Sequence, residues 1–270
     1  MVSLDYNGCS HFTANNNGIS LDNNLNDKVV LITGGAKRVG ASICRMLHAS
    51  GANLMIHYRS SAGEARALQS ELNLQRKNSA AIIQGDLLNL AMLPNLVQET
   101  ISHFGRLDVL INNASTYYAT ELGEIGEEQW EDLIGSNLKA PIFLSQAAAP
   151  ELRKQHGCII NITDMHVERP KKGYIVYSVA KAGLVTLTKS LAQELGPEVR
   201  VNAVAPGPVM WPEENPQFDA VYRQRVISQT LLKRLGEADD VARAVRFLIQ
   251  DGPFITGQVI AVDGGRSLNL

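Results

Sequence analysis

Tyr177 and Lys181 stand four residues apart, and Asp164 lies thirteen residues before the tyrosine. Four residues along a helix bring two side chains to one face. The phenol can then serve as a proton donor while the ammonium lowers its pKa. An acid at the third corner decides which reaction the trio can serve. When hydride reaches a ketone, negative charge grows on oxygen, and a neutral hydroxyl beside it acts as an oxyanion hole. A carboxylate about 4 Å from that oxygen costs roughly 4 kcal/mol at an effective dielectric of about 20, on the order of a thousandfold in rate. Reducing a ring C=N bond makes the opposite demand. The nitrogen gains a proton, and a nearby carboxylate favours the protonated state and keeps the phenol oriented and supplied. The competing reading gives the hydroxyl's work to Thr163 and leaves Asp164 capping a loop. Adjacent side chains on an extended strand point to opposite faces.

Holding such a trio requires a rigid frame. From Lys28 onward, seven short aliphatic runs, KVVLIT, ANLMIHY, SAAIIQGD, LDVLINNA, GCIINIT, VRVNAVAPG and QVIAVDGG, alternate with amphipathic segments. Runs that are apolar on both faces suit parallel strands buried between helices. Val39, Ile43, Met46 and Leu47 share one helical face, as do Val241, Val245 and Leu248. The pattern predicts a single α/β, Rossmann-type doubly wound domain over 27–270, with a seven-stranded parallel sheet in the order 3-2-1-4-5-6-7 and helices on both faces. Residues 205–236 interrupt the rhythm with a Pro-rich stretch after a strand's carboxyl end, the usual place of a substrate lid.

VVLITGGAKRVGASI follows the first predicted strand and opens a helix. Gly34 and Gly35 permit a tight turn, Gly40 permits close helix packing, and the helix N-terminus offers N–H groups to a pyrophosphate. An NAD site wants an acid at the end of the second strand. Here the strand ends His57-Tyr58-Arg59-Ser60-Ser61, with no carboxylate before Glu64. A ribose 2′-phosphate would find a guanidinium, two hydroxyls and a helix N-terminus there, so NADPH is the expected cofactor; the alternative is a solvated basic turn. Asp86, after the third strand, is placed to bond an adenine amino group or to serve as a turn residue.

The 270 residues carry a formal net charge of -2 and are 45% hydrophobic and 19% charged. That balance gives no electrostatic argument for nucleic acid or an anionic membrane. No apolar run reaches the roughly 18 residues of a spanning helix. Cys9, Cys44 and Cys158 form no CxxC pair, which points to a reduced, cytoplasmic setting. The six histidines show no metal-ligand spacing. Residues 1–26, rich in Asn, Ser and Gly and lacking Lys and Arg, read as a disordered N-terminal extension rather than a targeting peptide.

TGGAKRVG, NNAS, SNLKAP, Tyr177-x-x-x-Lys181, NAVAPGPV and ITGQVIAVDGG together resemble the short-chain dehydrogenase/reductase family, in its order and spacing, over residues 28–268. Two positions depart from its common pattern. Arg38 stands where the family usually has Gly, and Asp164 where it usually has the catalytic Ser. Both, with HYRSS, resemble the pteridine reductase branch. The resemblance implies an NADPH-dependent reductase of pterins or folates and a homotetramer. It implies catalysis by Asp164, Tyr177 and Lys181, with Asn137 holding a relay water. Cofactor contacts are implied at Gly34, Lys37, Arg38, Val39, His57, Tyr58, Arg59, Ser60, Ser61, Asp86, Leu87, Asn113, Ala114, Tyr177, Lys181, Pro206 and Gly207. The expected substrate residues are Arg38, Ser115, Tyr117, Asp164, Tyr177, Met210 and Trp211, with Tyr117 stacking the heterocycle. Three alternatives stay open: a dihydromonapterin or dihydrofolate reductase of this branch, a 3-oxoacyl thioester or other carbonyl reductase, and a non-enzymatic NADP sensor.

Overall fold

A computed structural model describes residues 25–210 and 219–269. Every predicted apolar run is a strand: β1 (Val29–Ile32), β2 (Asn53–Tyr58), β3 (Ala80–Gln84), β4 (Val109–Asn112), β5 (Cys158–Ile162), β6 (Arg200–Pro206) and β7 (Val259–Val262). They form one parallel sheet in the order β3-β2-β1-β4-β5-β6-β7, as the spacing predicts. The central strands β1, β4 and β5 are buried at every position, because helices cover both faces.

The helices are α1 (Arg38–Ala49), α2 (Ala62–Gln75), α3 (Leu93–Phe104), α4 (Glu127–Ile134), α5 (Ala140–Gln155), α6 (Ile175–Leu195), α7 (Ala220–Gln229) and α8 (Ala238–Gln250). Alternation along β1 divides the core in two. Val30 and Ile32 pack with Ile43 and Leu47 of α1 and Val241, Val245 and Leu248 of α8. Leu31 joins the opposite layer with Leu96 of α3, Leu144 and Leu152 of α5 and Leu195 of α6. Each fully buried aliphatic side chain contributes roughly 1.5–3 kcal/mol, which makes the sheet and its covering helices a stiff platform for the loops at the strands' carboxyl ends.

Two boundaries move. Leu25, assigned by sequence to the extension, is buried, and its N–H donates to Ser50 O at 2.7 Å, so the packed chain starts two residues early. The rest of that extension, residues 1–24, lies outside the described residues. The long segment 205–236 contains α7, whose N-terminus is capped by Asp219 accepting from Tyr222 N at 2.7 Å. No helix of the described residues is long and apolar enough to cross a membrane.

Candidate active site

The β1–α1 turn lies at the carboxyl end of the sheet's centre. Gly34 has φ +61°, and a Cβ there would stand 2.9 Å from Ala114 Cα. A Cβ on Gly40 would stand 2.4 Å from Gly34 O. Only glycine lets α1 start so close under the turn. Asn113 locks the turn from β4: its Nδ2 donates to Thr33 O at 2.9 Å and Gly34 O at 3.0 Å. Thr33 Oγ1 accepts the N–H groups of Asn113 and Ala114, both at 3.0 Å. From the other side His57, fully buried, accepts Gly34 N–H at Nδ1 (3.2 Å). Its other nitrogen, at 3.1 Å from Gly85 O, must therefore carry the proton. Burial pushes the His57 pKa down to about 4, partly offset by the Gly85 carbonyl and the Asp86 charge. The imidazole is thus a neutral brace between the turn and the end of β3.

A cleft of about 350 Å³ runs along this turn. Gly34, Lys37, Arg38, Val39, His57, Tyr58, Arg59, Ser61, Asp86, Leu87, Asn113, Ala114 and Ser115 line it, all named from sequence. Ala36, Leu88, Thr116 and Ser136 line it too, and sequence reasoning missed them. Ser60 is outside this wall, exposed on the turn. So are Pro206 and Gly207: Gly207 N donates to Val262 O at 2.9 Å, and a Cβ there would stand 2.6 Å from Asp263 Cα. That glycine serves the approach of β6 to β7. Lys37 Nζ pairs with Glu64 Oε1 at 2.5 Å, so the first carboxylate of α2 is matched by a cation at the cleft mouth. Arg38 sits at φ +52°, a left-handed conformation that explains why glycine is the usual occupant.

Deeper in, β5 ends at Ile162 and the chain continues extended into Asp164, whose φ and ψ are -155° and 145°. Thr163 turns inward: both its N–H and its Oγ1 donate to Val204 O, at 2.8 and 3.1 Å. Its hydroxyl is thereby committed to β6. Asp164 turns the other way. Tyr177 Oη donates to Asp164 Oδ2 at 2.7 Å, and His166 N donates to Asp164 Oδ1 at 2.7 Å. The carboxylate caps the loop and holds the phenol at once.

Tyr177 and Lys181 occupy the first turns of α6, both almost wholly buried. Lys181 Nζ donates to Ile162 O at 2.9 Å and lies 5.8 Å from the centre of the Tyr177 ring. Burial lowers its pKa to about 8, with the charge of Asp164 opposing. The expectation that Lys181 lowers the Tyr177 pKa is corrected here. Burial first, then the charge and hydrogen bond of Asp164, hold the phenol well above the usual tyrosine range, while Ser115 pulls weakly the other way.

Asn137 lies in a π-helical turn, Gly135–Lys139, a distortion common at functional sites. Its Nδ2 donates to Thr116 O and Leu133 O, both at 3.0 Å, and its Oδ1 accepts Ser115 Oγ at 2.6 Å. The amide therefore fixes the 115–116 loop, leaving one acceptor lone pair for the expected water. Below, Asn112 Nδ2 donates to Asn161 Oδ1 at 2.8 Å and Asn161 Nδ2 to Thr188 Oγ1 at 2.9 Å, tying β4, β5 and α6 together.

At the outer end Tyr117 is already stacked. Its ring lies on that of Tyr174, centres 4.7 Å apart at 19°, and meets the Tyr177 ring edge-on at 4.8 Å and 80°. Lys171 Nζ donates to Tyr117 Oη at 3.2 Å. Tyr174 and Lys171 were missed by sequence reasoning, although both stand in the loop that leads into Tyr177. Met210 is half-buried after β6, and Trp211 lies outside the described residues.

A family model described as Enoyl-(Acyl carrier protein) reductase matches residues 34–267. Pteridine reductase 1 of Leishmania tarentolae is 38% identical, over 89% of this chain and 96% of its own length. The 3-oxoacyl-[acyl-carrier-protein] reductase FabG of Staphylococcus epidermidis is 36% identical, over 88% of this chain and 98% of its own. Among solved structures, a blue fluorescent protein from a metagenomic library in complex with NADPH superposes with a TM-score of 0.84 at 35% identity, covering 90% of this chain and 99% of that one.

Proposed function

This chain is an oxidoreductase of the short-chain dehydrogenase/reductase family, and from that premise we propose that it is an NADPH-dependent pteridine reductase, acting on a ring C=N bond of a pterin or folate-type substrate. One observation carries the reading: the hydrogen bond at 2.7 Å between Tyr177 Oη and Asp164 Oδ2, where a carbonyl reductase needs a neutral donor. The rival hydroxyl of Thr163 is spent on Val204 O.

The residues of the cleft fit NADPH. Gly34 and Gly40 leave no room for side chains beneath the turn, and the first N–H groups of α1 face the cleft. Arg59 and Ser61, ahead of α2, suit a ribose 2′-phosphate, and Lys181 would hold nicotinamide ribose hydroxyls. When bound, NADPH supplies the hydride for the ring carbon. The chain's own residues handle the proton. Tyr177 donates its hydroxyl proton to the ring nitrogen, oriented for that transfer by its hydrogen bond to Asp164 Oδ2. Burial and the charge of Asp164 raise the Tyr177 pKa, so the resting phenol carries its proton, and the one it gives up is replaced from solvent past Asp164. Half-exposure of Asp164 permits that resupply.

NADPH oxidation with dihydrobiopterin and dihydrofolate tests the reading. Asp164→Ala and Tyr177→Phe should each lower turnover sharply; near-normal turnover in both refutes it. A second reading, 3-oxoacyl thioester reduction, is favoured by the 36% identical relative. It predicts that Asp164→Ser raises thioester reduction. We further propose a homotetramer, supported by the exposed apolar side chains Ile142 and Phe143 on α5 and Ile175 and Val179 on α6; native mass measurement tests it.

A further inference from the structure

Lys37 stands just ahead of α1 and lines the cleft, yet its ammonium is turned to α2, where it meets Glu64 Oε1 at 2.5 Å. Both side chains are half-exposed. Glu64 is the third residue of α2 and the acid of its first turn, so the carboxylate stands at a helix N-terminus, where the macrodipole favours an anion. The bond from Lys37, and then Glu64's own N–H, hold that carboxyl below its usual range. Ser61, at the N-cap of α2, makes no side-chain capping bond and lines the cleft together with Arg59.

A ribose 2′-phosphate suits this corner for the reasons that Glu64 does: a cation on one side and a helix N-terminus on the other. The two anions therefore need the same ammonium. When the phosphate arrives, Lys37 must either leave Glu64 or divide itself between two like charges, and each course weakens the phosphate contact. A cofactor that lacks the 2′-phosphate leaves the ion pair as it is. We propose that Glu64 is a specificity-determining residue. By competing for Lys37 it lowers affinity for the 2′-phosphorylated cofactor alone, and so sets the preference for NADPH over NADH below what Lys37, Arg59 and Ser61 would otherwise give. This inference goes beyond the pteridine reading and holds for any substrate of the site. A Glu64 that instead aligned Lys37 for the phosphate would have the opposite sign.

Fluorescence titration of the full-length protein with NADPH and with NADH, no substrate present, decides. Glu64→Gln keeps the side chain's length and removes its charge. Its Kd for NADPH should fall about two- to fivefold, the range over which exposed ion pairs act, while Kd for NADH holds. Added salt should weaken NADPH binding more steeply in the variant than in the wild type, because Lys37 then meets the phosphate with no neighbouring anion to exchange. In a Lys37→Gln background the same change should bring a smaller gain. An unchanged or raised Kd for NADPH in Glu64→Gln overturns the inference. So does an equal change for NADH, or a gain that persists in full without Lys37. Pteridine turnover plays no part in these titrations, so failure of the pteridine reading would show only in the turnover assays.

Discussion

Around the β1–α1 turn, the cleft is backbone held by side chains from the ends of three strands: Thr33 after β1, Asn113 after β4 and His57 in β2, each bonded to a main-chain group of the turn or its neighbour. Around Tyr117 the cleft is side chain held by side chain. Tyr117, Tyr174 and Lys171 come from two loops, lean on one another, and leave Tyr117 substantially exposed. The first region fixes a common cofactor's position and tolerates little change. The second can alter substrate preference by exchanging one loop residue, without disturbing the sheet. Asp164 stands where the two meet, bonded on one oxygen to its own loop and on the other to Tyr177 Oη.

The largest effects should come at that meeting point. Asp164→Ala and Tyr177→Phe are each expected to lower pteridine turnover by about 10²–10⁴-fold, the usual loss for a general acid–base group. NADPH affinity, read by fluorescence titration, should change little. If either variant lost cofactor binding in proportion to turnover, the proton-handling end would not be separable from the cofactor end.

His57 tests how stiff the cofactor end is. The folded protein holds the imidazole neutral with a pKa of about 4, whereas the unfolded chain titrates near the ordinary value of 6.5. Between those values the unfolded state binds more protons. Stability is therefore fully present above about 6.5 and is lost as pH falls toward 4, by up to about 3 kcal/mol. Urea midpoints from pH 7.5 to 4.5 should show this slope, and His57→Gln should flatten it while lowering stability at pH 7.5. An unchanged slope in the variant would assign the loss to other groups.

What could be read from sequence follows the same division. The sheet order and the glycine turn were legible because backbone geometry dictates residue type: β-branched runs for buried strands, glycine where a Cβ meets Gly34 O or Ala114. Asp164 was legible because the strand's alternation puts it opposite Thr163, as the Val204 and Tyr177 bonds bear out. Tyr174 and Lys171 were not, since no periodicity constrains a loop and nothing local tells a stacked tyrosine from a solvated one. The Tyr177 pKa was misjudged for a related reason. Spacing places Lys181 on the same helix face, but only the fold shows its ammonium directed to Ile162 O and the acid nearer the phenol. Likewise α7 was hidden in a Pro-rich stretch whose helical part, 220–229, has a weak apolar stripe with only Val226 buried.

Cofactor choice is a smaller effect. Arg59→Ala should reduce the preference for NADPH over NADH about tenfold, mostly through KM for NADPH, as expected for one guanidinium–phosphate contact. Turnover at saturating NADPH should hold. A ratio that does not move would return Arg59 to a solvated turn and shift the burden to Ser61 and the α2 N-terminus.

The smallest effect is the one that best separates the fold's interest from the site's. Arg38 occupies φ +52°, where a side chain costs on the order of 1 kcal/mol relative to glycine. Gly34, Gly35 and Gly40 already let the helix begin beneath the turn. Relief of the positive φ by itself favours Arg38→Gly by up to about 1 kcal/mol, read as a higher melting temperature without ligand. The same variant should raise KM for NADPH and for the pteridine several-fold, because Arg38 lines the cleft. Opposite signs in the two measurements would mean that the residue is kept for what it binds, at the expense of the turn that carries it. If stability and both KM values fell into line, with the variant weaker in every respect, Arg38 would instead be another brace of the cofactor end, alongside His57 and Asn113.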